Sequence, residues 1–239
     1  MITFRQHLEI SKHSNKNNGI LEYISTLSPE DRVRTTRDIM DTYPIDMKGD
    51  ISEWTKKKFN IYTDIMELVL GQFIMLEQII TGKTKYTTDA ENDLAIAQLI
   101  LRPKHHNDFD NESTEDEGVN YEDILNTPVE DIYRILTKFL DNREFVLFKQ
   151  FSGVFYEIPD EDEQEEEEEE KGNATAEQLF SQQWYWYSMV RMLAQEDITR
   201  YSEIYMLKMS TVMPEMSFIA QRSKIESARQ RQGEAMRKL

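Results

Sequence analysis

From Glu157 to Glu170 the chain carries eleven carboxylates and not one Lys or Arg. Such a run has no apolar surface to bury, and its like charges repel, so nothing offsets the entropy of ordering it. The stretch PDEDEQEEEEEEKGNATAEQ therefore divides the chain, and residues 157–175 read as a disordered acidic linker. Residues 105–123 hold eight more acidic side chains, again without Lys or Arg, and read as an acidic loop over 104–120. These nineteen carboxylates exceed the formal net charge of −17, which leaves the rest of the chain close to neutral. A field of that sign repels phosphates, so no nucleic-acid partner is expected. The exception is 221–239, with six basic residues against two acidic ones.

Around these two acidic insertions the pattern is helical. Eight glycines and six prolines are few for 239 residues, which favours long helices over many tight turns. The expected fold is mainly α: a multi-helix globular bundle, with MITFRQHLEI open to either a short N-terminal strand or a helix. Residues 1–156 form a helical domain, and 176–239 a C-terminal helical segment packing on it, ending in the basic tail 221–239. Ser28-Pro29-Glu30-Asp31 predicts a helix start running to about Met40, since Ser caps, Pro suits the first turn and acids favour the positive end. Ile61–Gly82 reads as helix with a break near Gly71, and Asp89–Leu101 as a helix stopped by Arg102-Pro103. Thr127 and Glu130 stand at capping-box spacing. The helix they start carries Val129, Ile132, Ile135, Leu136 and Leu140 on one face, and Phe145–Tyr156 predicts one more helix. Later helices are expected from Ala176 to Gln195, from Asp197, and from Pro214, with the basic tail prolonging the last into solvent.

Several chemistries fall away on residue type. The absence of cysteine removes disulfides, thiol catalysis and cysteine-ligated zinc. Gly82-Lys83-Thr84 matches the end of a phosphate-binding loop, but the position that needs the first glycine is Glu77. Asp108-x-Asp110-x-Glu112 begins like a calcium loop, yet Ser113 and Val119 stand where glycine and glutamate are required. His105 and His106 point apart on any regular backbone. No metal site, catalytic residue or cofactor is expected, and no enzymatic activity. No apolar run is long enough to span a bilayer, since Ile65–Ile80 is short and carries Glu67 and Glu77. No membrane association is expected, and MITFRQHLEISKHSNKNNG lacks a signal-peptide core. We expect a cytoplasmic protein.

The densest apolar chemistry is QQWYWYSMVRMLAQEDITRYSEIYMLKM, Gln182–Met209. Core packing accounts for a helix that is apolar nearly all round. A groove for a partner helix is the functional alternative, because the flexible thioether of Met adapts to varied apolar surfaces. Met192, Met206, Met209, Met213 and Met216 are the candidate contacts, with Trp184 and Trp186 as the floor. Asp197 is expected to cap the helix that follows it.

The order of motifs DIMELVLGQFIMLEQII (Asp64–Ile80), DLAIAQLILRP (Asp93–Pro103), VEDIYRILTKFL (Val129–Leu140) and the C-terminal tryptophan helix resembles a group of tailed-bacteriophage proteins, some described as tail assembly chaperones or tail-tube-associated proteins. The resemblance covers most of the chain, apart from the Glu run and the basic tail. It implies a host-cytoplasmic assembly protein that coats a long helical tape-measure protein. A virion structural protein (connector, tail or baseplate component) and an acidic decoy for a basic partner remain alternatives, and a homo-oligomer stays open.

Overall fold

The computed structural model describes residues 2–12, 49–84, 86, 88–104, 117–155 and 176–237, with isolated positions at 23, 26–28, 31 and 35. The side chains of 117–120, 153, 155, 176–184 and 231–237 are outside this description. So are both acidic stretches up to Asp116 and Thr175, the two histidines of the loop, and most of the helix expected after Ser28. At that start the Ser28 hydroxyl accepts from Asp31 N at 3.2 Å, the contact an N-cap makes. The described chain is mainly helical and divides into two units, 1–68 with 72–143, and 69–71 with 144–239.

In the first unit, α1 (Phe4–Lys12) follows a single antiparallel bridge at Thr3 and Pro128. The N-terminal residues are thus neither a full strand nor all helix. Phe4 N donates to Thr127 O at 2.9 Å and Val129 N to Ile2 O at 3.1 Å, and Ile2 and Phe4 are fully buried. A short helix α2 (Glu53–Lys58), capped by the Ser52 hydroxyl, runs into strand β1 (Phe59–Ile61). Helix α3 (Leu70–Ile80) follows a 3-10 turn at Ile65–Glu67, so the break expected near Gly71 falls before it, at Leu68 and Val69. Helix α4 (Asp89–Ile100) opens on a complete capping box between Thr88 and Glu91. It gives way to strand β2 (Leu101–Pro103), which pairs antiparallel with β1 in the register Asn60 to Arg102.

Helix α5 (Glu117–Leu125) starts inside the first acidic stretch, which trims the loop expected to reach residue 120. Helix α6 (Val129–Glu144) is present, but its expected capping box is not. The Thr127 hydroxyl donates back to Asp123 O, closing α5, while Glu130 pairs with Arg134. On α6, Val129, Ile132, Ile135, Leu136 and Phe139 are buried, whereas Leu140 is 40% exposed. One residue is 100° of helix turn, which carries Leu140 off the edge of the stripe that Phe139 centres.

Several buried polar groups in this unit are paired with one another. Asp131 accepts from Ser52 N at 3.0 Å, from the Ser52 hydroxyl at 2.5 Å and from the Thr55 hydroxyl at 2.6 Å. Arg134 approaches it at 3.5 Å and donates to Asp50 O at 3.0 Å. The guanidinium lies so close over Gly49 that a Cβ there would stand 2.4 Å from it and would displace the guanidinium. Arg143 holds Glu77 through two parallel bonds, at 2.5 and 2.6 Å. The Tyr133 hydroxyl donates to Asp93 Oδ2 at 2.9 Å and lies 2.9 Å from His7 Nε2, tying α1, α4 and α6 together. The phenol has one proton and gives it to Asp93, so the His7 N–H must donate to the phenol oxygen. Burial lowers the His7 pKa to about 4, and burial also raises that of Asp93.

The second unit begins where Phe145–Gln150 winds as a π-helix, followed by α7 (Ser152–Phe155), in place of one continuous helix. Next come α8 (Ala176–Leu193), a 3-10 turn at Ile198–Arg200, α9 (Tyr201–Tyr205) and α10 (Met209–Arg237). Val69 bridges antiparallel to Lys208, and Leu70 N donates to Leu207 O at 2.8 Å. Gly71 permits that approach, since a Cβ would sit 3.3 Å from Tyr205 O.

Helix α10 begins five residues before the proline expected to open it. The Lys208 carbonyl accepts from Thr211 and Val212, and Met209, Val212, Met213 and Met216 form a buried stripe at helical spacing. Burying each of these side chains contributes about 1.5–3 kcal/mol, enough to carry Pro214 inside the helix. Ser210 and Pro214 face solvent, so the carbonyl that the missing N–H leaves free is open to water.

Candidate partner-binding surface

The turn from α8 to α9 is closed without glycine. Gln195 (φ 54°) and Glu196 (φ 65°) both adopt the left-handed conformation, which costs non-glycine residues roughly 1–2 kcal/mol each. The turn holds because Glu196 N reaches back to Arg191 O at 2.9 Å and Gln195 N to Met192 O at 3.0 Å. Asp197 then takes Thr199 N at 3.0 Å and the Thr199 hydroxyl at 2.7 Å, capping the next turn as expected. Those two bonds hold its carboxyl below the ordinary carboxylate range.

This turn sets α9 against α8 and builds a tyrosine patch. The rings of Tyr187 and Tyr201 meet edge to face with centroids 6.0 Å apart. Their mutual hydrogen bond, then burial, raises the Tyr201 pKa, with Arg191 opposing. Burial and the nearby Tyr187 raise that of Tyr205. The Tyr201 and Tyr205 phenols therefore stay neutral at physiological pH and can both donate and accept. Tyr187 is 43% exposed, and Met192 and Met206, adjacent in sequence to Arg191 and Tyr205, are 42% and 40% exposed. Ile198, on the 3-10 turn, is 72% exposed.

The five methionines chosen from the sequence thus separate into two sets. Met192 and Met206 face solvent. Met209, Met213 and Met216 are buried at 0%, 0% and 6%. Trp186 is half-buried, with its ring 5.1 Å from that of Tyr185, and the Trp184 side chain is outside the described residues. Tyr185 turns inward to donate to Val154 O at 3.1 Å, and burial pushes its pKa up to about 12. Tyr187, Tyr201 and Ile198 join the surface without having been selected. The one signal in the sequence is that Tyr187 stands one helical turn before Arg191.

Exposed phenols, thioethers and an aliphatic side chain on these elements can meet an apolar surface with polar edges. Among the described residues, no group of three or more acidic or histidine side chains could hold a metal ion, and no helix is long and apolar enough to cross a membrane. No family model, curated protein or solved structure matches this chain.

Proposed function

We propose that this protein is a non-catalytic assembly factor of the tail assembly chaperone kind, whose second unit shields amphipathic helices of a long, aggregation-prone tail protein. The observation that carries this reading is the exposure of Tyr187, Met192, Ile198 and Met206 in a unit whose buried residues include Met209, Met213 and Met216. Flexible thioethers and amphipathic phenols suit a partner that presents many similar helices with no fixed sequence. The acidic segments would keep the complex soluble through net repulsion. The resemblance of the motif order points the same way.

The test is to tag the protein in its native setting, identify what co-purifies, and assay finished particles for this chain. A single long helical tail protein in the eluate, with the chain absent from particles, is the expected result. Persistence in particles alongside many virion proteins would replace the proposal with a connector, tail or baseplate role. Capture of a basic nucleic-acid-binding protein, lost on deleting Asp160–Glu170, would replace it with a decoy.

A further inference from the structure

Helix α10 runs for 29 residues, about 42 Å, but its buried positions stop at Met216. Every described side chain from Gln221 to Gln230 is exposed. Phe218, Arg222, Ile225 and Arg229 recur at spacings of four, three and four and so line one face, with Phe218 60% and Ile225 54% exposed. Arg222 meets Glu226 at 2.8 Å in an exposed pair, and Lys224 and Arg229 have no acidic partner among the described residues. A helix end of this length, without tertiary packing, is marginal in water. A second copy of the same helix would set like charges against each other. A nucleic acid would meet the repulsion of a chain with net charge −17.

We propose that the cationic face of α10 beyond Gln221 is a docking surface for a polyacidic segment, and that its occupant is Asp160–Glu170 of the same chain. The charges are complementary, since residues 157–170 bring eleven carboxylates and the helix from Gln221 to Gln230 brings three basic residues, Arg222, Lys224 and Arg229, against one acidic, Glu226. The tether is short, because the acidic segment leaves the fold at the end of α7, and α7 packs against α10. Asp160 to Glu170 lie five to fifteen residues past Phe155, a reach of up to about 17–50 Å, which covers the exposed part of the helix wherever α7 meets it. A tether of that kind holds the two segments at effective concentrations of about a millimolar, so several weak charge pairs suffice. The occupied face is closed to other polyanions, and the second unit then presents its tyrosine and methionine surface with the cations already covered.

The absence of native cysteine allows two spin labels to be placed cleanly on the full chain, at Gln164→Cys and Ser223→Cys. Pulsed electron spin resonance at 50 mM salt should give a narrow distribution centred below about 25 Å. In 1 M salt, where screening acts over about 3 Å, it should broaden and move outward. The triple variant Arg222→Glu, Lys224→Glu, Arg229→Glu should do the same at low salt. So should neutralising Glu165–Glu170 to Gln, which leaves α10 untouched. A distribution unchanged by salt and by both variants would overturn the proposal. A short distance that grows in only as protein concentration rises would also overturn it, by assigning the contact to a second copy. Preferential binding of an added DNA oligonucleotide by wild type over the triple variant, with the intramolecular distance unaffected, would reassign the face to nucleic acid.

Discussion

The two units bury different chemistry. All seven polar or charged residues that are buried among the described positions, from Thr35 to Arg134, lie in the first unit. Eight of the thirteen large apolar side chains that remain exposed lie in the second, shorter unit, including Phe145, Ile198 and Phe218. The first unit spends its polar groups on internal specificity: a buried carboxylate with four partners leaves little freedom of register. The second unit packs methionines inside and leaves aromatic surface outside. That is the distribution expected where one part of a molecule holds its own shape and another meets a partner.

Removing a partner of a buried charge should show the contrast most strongly. Asp131→Ala leaves Arg134, Ser52 and Thr55 without their common acceptor and should cost about 3–5 kcal/mol, read as a shift in the urea midpoint. A loss under 1 kcal/mol would mean that the network contributes little and that the first unit is not polar-specified. Acid should act on the same unit. The folded-state pKa of His7, about 4, is below its unfolded value near 6.5, so the unfolded chain binds the extra proton first. The stability this group contributes is complete above pH 6.5 and is lost as pH falls through 4, a difference on the order of 2–3 kcal/mol. Asp93, raised by burial, acts in the opposite sense at lower pH, so the effect is best read as wild type minus His7→Gln, which keeps a donor for Tyr133. Parallel pH profiles for the two proteins would show that His7 is not held neutral by burial.

In the second unit the sign should reverse. Glu196→Gly relieves a left-handed residue and should stabilise by about 1 kcal/mol, seen as a higher melting temperature. Smallest in stability should be Met192→Glu with Met206→Glu, within about 0.5 kcal/mol of wild type, because both side chains already face water. Met213→Glu, which places a charge in the core, should unfold the unit instead. Equal effects from Met206→Glu and Met213→Glu would erase the distinction between surface and core.

Local chemistry made much of this legible from the residues. Ser28 and Asp197 announce their turns because a side-chain oxygen near free N–H groups acts within three residues, whereas the box expected at Thr127 and Glu130 stands instead at Thr88 and Glu91. What needed tertiary partners was hidden. Strands of three residues, Phe59–Ile61 and Leu101–Pro103, are too short to show alternation. Asp131 is fixed by Ser52 and Thr55, almost eighty positions away, and nothing near it in sequence signals burial. Pro214 misplaced the start of α10 because the methionine stripe outweighs one lost hydrogen bond. Within the candidate surface, residue type located the cluster but could not divide Met192 and Met206 from Met209, Met213 and Met216, since a core and a groove require the same side chains.

The most direct measurement is quantitative capture of the native partner by wild type and by the surface variant Tyr187→Glu, Met192→Glu, Met206→Glu, with circular dichroism confirming that the fold is retained. The account predicts at least a tenfold loss of captured partner at unchanged helicity. Undiminished capture by a folded variant would place the interaction elsewhere and contradict the reading of the second unit as the binding surface.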